Sequence, residues 1–165
     1  MPLYFGRVKE IVRIFEAKYN EKEMKLLSQK LASLCDGKEF ITLNGDVGAG
    51  KTSFARFFIN FFNKNISDIP SPTFNLVFTY PTKLSSIWHF DLYRLNKEED
   101  VWEIGMEDAL ENGIVLIEWP EIIKKLLPLN RLEIYFDFYK DNPYIRNVKL
   151  VPYGIWQKRL LKIDY

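Results

Sequence analysis

Along this chain the apolar positions switch repeatedly between a period near 3.6 and a period of two, and each switch marks a change of element. Ile11 to Ala17 is rich in β-branched and aromatic residues with partial alternation, which predicts a strand. Asn20 with Glu23 three residues on has the form of a capping box. The Asn side chain accepts from a free backbone N–H, and the Glu reaches back to the cap. Met24, Leu27, Leu31 and Leu34 then recur at helical spacing, with Gly37 as a stop. Phe40 to Leu43 is a short apolar strand. After a glycine-rich loop, Phe54, Phe57, Phe58 and Phe61 lie on one face of a helix that runs to Phe62.

Pro70 and Pro72 break regular structure around Ser71. Beyond them, Phe74 to Tyr80 and Leu84 to Phe90 read as strands. Asn96 with Glu99 repeats the capping pattern and predicts a helix over 97–104, with a further helical turn over 107–110. Ile114 to Ile117 is apolar on both faces, the mark of a strand covered on both sides. Glu118, Trp119 and Pro120 follow, and then a short helix is expected through Leu127. Arg131 to Phe138 and Tyr144 to Val151 alternate as antiparallel neighbours across a turn at Asp141, Asn142 and Pro143. Two forms fit the tail over 154–165: a short helix, or an irregular segment packed on the domain. Helices alternate with strands early and strands dominate late, so the expected fold is α/β, a three-layer sandwich around a mixed central sheet. Residues 11–153 form the domain, and residues 1–10 read as an extension.

With 165 residues, 47% of them hydrophobic, the chain is long enough for one well-filled core. A net charge of +1 gives no field for coating nucleic acid. Lys124, Lys125, Lys158, Arg159 and Lys162 form either a local basic patch or a solvated face. One cysteine, Cys35, excludes an internal disulfide, and with a single histidine it leaves little room for a structural zinc site. Cys35 reads as a small buried residue near a helix end. The first residues lack a signal-peptide pattern and no run is long enough to span a bilayer, so the expected location is cytoplasmic, away from membranes.

The loop from Gly45 to Thr52 matches the eight-position P-loop in full. Gly45, Gly48 and Gly50 let the backbone curl around an anion without Cβ clashes, and the following helix adds the partial positive charge of its N-terminus. Lys51 is suited to the β- and γ-phosphates and Thr52 to Mg²⁺. A strand before the loop and a helix after it strengthen the match, and the whole reads as a P-loop NTPase-like domain. The expected ligand-binding set is Gly45, Asp46, Val47, Gly48, Ala49, Gly50, Lys51, Thr52 and Ser53, with ATP and Mg²⁺ as ligands. The Asp46 carboxylate has to point outward and has no catalytic part.

Magnesium needs an acid nearby. Asp91 closes a strand on the face it shares with His89, opposite Trp88 and Phe90. Glu118 follows a wholly apolar strand, a costly place for a carboxylate unless it meets a cation or water. His89 either bonds nearby backbone or orients the site. Thr73 fits the γ-phosphate or the metal, or else a cap. Trp119 either covers the nucleotide or packs. Arg94 fits a phosphate contact or a surface pair with Glu98 or Glu99.

Taken in order, four blocks resemble the bacterial TsaE family. They are the loop from Gly45 to Thr52, then Ser71 to Phe74, then His89 to Leu95, then Ile117 to Glu121. The likeness runs from about residue 14 to residue 136. It implies a single-domain P-loop ATPase with Asp91 at magnesium, Glu118 tied to hydrolysis and to the metal, Trp119 beside it, and Thr73 in a switch-like segment. It also implies work with the TsaB and TsaD proteins in placing threonylcarbamoyl on the adenosine next to certain tRNA anticodons, with tRNA touched only indirectly or transiently. One departure is Glu23-Met24, where the family commonly has Glu-Thr. The expected activity is slow ATP hydrolysis, catalysed through Lys51, Asp91 and Glu118 and raised by a partner, because no internal arginine finger stands out. A small-molecule kinase and a nucleotide-gated binding module are the rivals.

Overall fold

The computed structural model describes residues 13–163. The proposed extension at residues 1–10, and the first two positions of the strand expected from Ile11, lie outside them. Seven strands form one mixed sheet in the order β1-β7-β6-β2-β5-β4-β3. In chain order they are β1 (Phe15–Tyr19), β2 (Phe40–Asn44), β3 (Val77–Tyr80), β4 (Ser86–Asp91), β5 (Gly113–Glu118), β6 (Arg131–Phe138) and β7 (Arg146–Tyr153). The core strands β4, β5, β2 and β6 run parallel, and β1, β7 and β3 pair antiparallel at the flanks. The helices are α1 (Glu21–Ser33), α2 (Lys51–Phe62), α3 (Asp100–Glu103), α4 (Met106–Asn112) and α5 (Ile155–Leu160), with a 3₁₀ helix at Pro120–Leu126.

Period-two alternation divides the core in two. Ile114 and Leu116 of β5, with Ile41 and Leu43 of β2, face Phe54 and Phe58 of α2 and Leu27 and Leu31 of α1. Val115, Ile117 and Phe40 face the other way, toward Val101, Met106, Ala109 and Ile123. These are the three layers expected of the sandwich. All six residues of β5 are buried, as its apolar run requires.

The Asn20–Glu23 capping box is present, with both reciprocal bonds at 2.9 and 2.8 Å. Asn96 and Glu99 form no such box. The helix begins only at Asp100, and Glu99 precedes it without a side-chain cap. The 107–110 turn is instead the longer α4. The strand expected from Phe74 begins at Val77, because the Leu76 amide bonds the Pro72 carbonyl at 2.6 Å and Leu76 takes a positive φ of 66°. That turn consumes the first half of the apolar run. α1 ends at Ser33, before Gly37, whose φ of +112° serves the turn into β2. β7 starts two residues later than its alternation suggests. Cys35 is half-buried, its thiol within 3.5 Å of the Leu31 carbonyl.

The tail is helical. Trp156 and Leu160 enter the same core as α1 and α2. Arg159 ties α5 to the turn before β2 through Glu39 and Asp36, both at 2.7 Å. Trp156→Ala removes one of the largest buried side chains and is expected to cost about 3–5 kcal/mol, read from urea unfolding midpoints. An unchanged midpoint would show that α5 docks without contributing to stability. No described helix is long and apolar enough to cross a membrane.

Candidate functional site

The parallel strands β4, β2 and β5 place their C-terminal ends together, the edge at which open α/β sheets present their loops. β2 leads directly into the Gly45–Thr52 loop, and α2 begins at Lys51, where the first turn of a helix leaves its amide N–H groups without intrahelical partners. Gly50 precedes α2 with a φ of 109°, and Gly45 has a φ of +145°. A Cβ on Gly45 would stand 2.4 Å from the Phe136 carbonyl oxygen of β6, so this position has no room for any other residue.

A cavity of about 420 Å³ opens above the loop. Val47, Gly48, Gly50, Lys51, Thr52 and Ser53 line it from the loop side, and Ser71, Thr73, Asp91, Tyr93, Glu118 and Trp119 line it from the strand ends. The separate blocks picked out in the sequence therefore meet around one space. Ala49 is buried behind the loop, and Asp46 is exposed, so its carboxylate faces solvent as expected. A second cavity of about 640 Å³ shares Gly48, Gly50 and Ser53 with the first and extends past Met24 and Asn20 to Tyr144 and Arg146.

Lys51 is buried. Its ammonium donates to the carbonyl of Gly45 and, at 2.8 Å, to that of Asp46, and lies 4.0 Å from the centre of the Trp119 ring. Burial holds its pKa below the usual lysine value, while Glu118, Glu121, Asp91 and Asp46 pull the other way. Trp119 occupies the left-handed region at φ 58°, a conformation that costs a non-glycine residue on the order of 1 kcal/mol or more. That bend turns the ring over Lys51 and against Tyr93, at 4.9 Å between centroids.

Asp91 and Glu118 are partners in the β4–β5 register. The Thr52 hydroxyl meets both Glu118 oxygens, at 3.0 and 2.9 Å. Asp91 accepts from the Ser71 and Thr73 hydroxyls at 3.1 and 2.9 Å through one oxygen, and from the Tyr93 amide at 3.0 Å through the other. A hydroxyl that donates to a carboxylate keeps its lone pairs for a cation. Two carboxylates and a threonine hydroxyl make a hard-oxygen donor set, and among the described residues no group of three or more His, Cys, Asp or Glu could hold a metal alone. That suits Mg²⁺, which keeps several waters and shares its sphere with phosphate oxygens.

Three contributors lie outside the set of site residues expected from the sequence. Ser71 opens one of the matching blocks without a role of its own, and it bonds Asp91. Tyr93 lines the cavity beside Trp119. Arg146, at the start of β7, donates to the Ala49 carbonyl at 3.2 Å and the Gly48 carbonyl at 3.4 Å, with Phe138 stacked 4.7 Å away. Nothing in the sequence signals a contact across nearly a hundred residues. Arg94 forms no ion pair with Glu98 or Glu99 among the described residues and covers the Phe74 ring at 4.2 Å.

Comparison with known proteins gives one consistent result. The sequence model of the threonylcarbamoyl adenosine biosynthesis protein TsaE matches residues 18–147. A TsaE protein of Rickettsia felis is 45% identical over 123 residues, covering 74% of this chain and 72% of the relative. The TsaE protein of Bacillus subtilis is 32% identical over 117 residues, covering 70% and 72%. A crystal structure of YdiB from Bacillus subtilis superposes with a TM-score of 0.73 at 25% identity, covering 92% of this chain and 94% of that one. With a family match over most of its length and a shared fold, the chain belongs to the TsaE family of threonylcarbamoyl adenosine biosynthesis proteins.

Proposed function

We propose that this protein is a magnesium-dependent ATPase that supports a TsaB–TsaD assembly in threonylcarbamoyl modification of tRNA. One observation carries the reading. The hydroxyl of Thr52, at the first turn of α2, is held by a carboxylate from the end of a neighbouring strand, in a cavity whose floor is the glycine loop. This combination serves a triphosphate with a divalent ion and has little use elsewhere.

In this reading the loop amides and the α2 N-terminus bind the phosphates, and Lys51 leaves the loop carbonyls to follow their charge. Mg²⁺ supplies charge neutralisation at the phosphate oxygens, with Thr52, Asp91 and Glu118 as the residues to hold it. Glu118 orients water, and Trp119 and Tyr93 shield the site from solvent. The second cavity, joined to the first at Gly48 and Gly50, has room for the nucleoside. None of the described residues lining the phosphate side is an arginine, which supports a low basal rate and activation by a partner. Phe74 and Tyr93 stand exposed at or near the cavity mouth, where a partner would close it.

The test is phosphate release from ATP by the protein alone and with TsaB and TsaD proteins added. A marked rise in free phosphate on adding them is expected. ATP left intact despite nucleotide-dependent complex formation would make this a binding module. Phosphate delivered to a small acceptor would make it a kinase.

A further inference from the structure

His89 is fully buried in β4, and its Nε2 lies 2.8 Å from Oε1 of Glu118. Its Nδ1 is buried with no hydrogen-bond partner among the described residues. The ring therefore spends its whole hydrogen-bonding capacity in this site on one carboxylate oxygen. Donation from Nε2 leaves Nδ1 as a bare lone pair, which fits the absence of an acceptor around it.

The need for such a contact arises from Glu118 itself. The terminal torsion of a glutamate is soft. The Thr52 hydroxyl is nearly equidistant from the two carboxylate oxygens, so it holds the group in place without choosing between them. His89 touches only Oε1 and breaks that equivalence. Among the described residues Oε2 has only the Thr52 hydroxyl as a partner and is the oxygen left with free capacity, on a side chain that lines the cavity.

We propose that His89 is the positioning residue of the site: it fixes the Glu118 carboxylate so that Oε2 alone faces the ion or its bound water. This rests on the ATPase reading above. Among the described residues Glu118 is the one hydrogen-bond partner of the His89 side chain, so its effect on the site runs through that carboxylate.

The experiment compares the full chain with H89Q, whose amide N–H can replace the Nε2 donor, and with H89L, which fills much of the space without a donor. The Mg²⁺ dependence of binding of a fluorescent ADP analogue is measured for each, together with the thermal midpoint. H89L is expected to need about 10- to 100-fold more Mg²⁺ than wild type. H89Q is expected to stay near wild type, and all three to bind the analogue equally without metal. H89L behaving as wild type would overturn the proposal. So would an equal loss in both variants that tracked their thermal midpoints, since that marks a packing role. If the wild type binds no nucleotide, the ATPase reading falls and this proposal falls with it; binding by the wild type with an unaltered H89L removes this proposal alone.

Discussion

Replacing Lys51 with alanine is expected to lower partner-stimulated ATP turnover by about 10²- to 10³-fold, the loss typical of one preorganised charge at a transition state. Lys51 sits where the loop curls on itself and is the only side-chain cation among the described residues lining the cavity above the loop. Its removal takes the ammonium donor from the Gly45 and Asp46 carbonyls, the latter keeping the Ala49 amide at 3.1 Å, and uncovers one face of Trp119. The fold should tolerate the change, because the ammonium bonds only to loop carbonyls and the core is elsewhere. The measurement is turnover with saturating partner proteins, beside a thermal midpoint. Full turnover in the variant would take the loop out of the chemistry.

Glu118→Gln should separate binding from chemistry. The amide keeps the size of the side chain and loses the charge that, in the proposed reading, orients water or meets the ion. Turnover is expected to drop by about 10²- to 10⁴-fold, the range for loss of a positioned base. ADP affinity without metal should change little, since the loop amides and Lys51 are intact. The His89 donor still finds an oxygen in the amide, so the variant should fold. Single-turnover phosphate release and equilibrium binding on the same samples give both numbers. Unchanged turnover would remove Glu118 from any part in hydrolysis.

Much of this site is legible in the chain because its logic is local. Gly45 to Thr52 is one continuous stretch whose glycines are demanded by backbone geometry, and the strand and helix on either side carry their own periods. Glu118 is visible through a physical conflict, a carboxylate at the end of an apolar strand. Alternation alone places Asp91 and His89 on one face, and both do point into the site. The failures arise where a non-local contact overrides local preference. Phe74 to Leu76 looks like strand, but the turn closed by Pro72 brings Ser71 and Thr73 to Asp91 instead. The Asn96 cap loses to a chain path that delays α3 until Asp100. Arg146 sits in an ordinary alternating strand, and only the pairing of β7 with β6 carries it to the loop.

That arginine also bears on kinetics. By drawing the carbonyl oxygens of Gly48 and Ala49 toward itself, it helps to set the orientation of the intervening peptide dipoles before any anion arrives. That part of the loop's reorganisation energy then falls on folding, so an anion entering the loop would find these peptides already turned, with Lys51 left to move. Under the proposed ATPase reading, capture should then be fast beside bond cleavage or product departure.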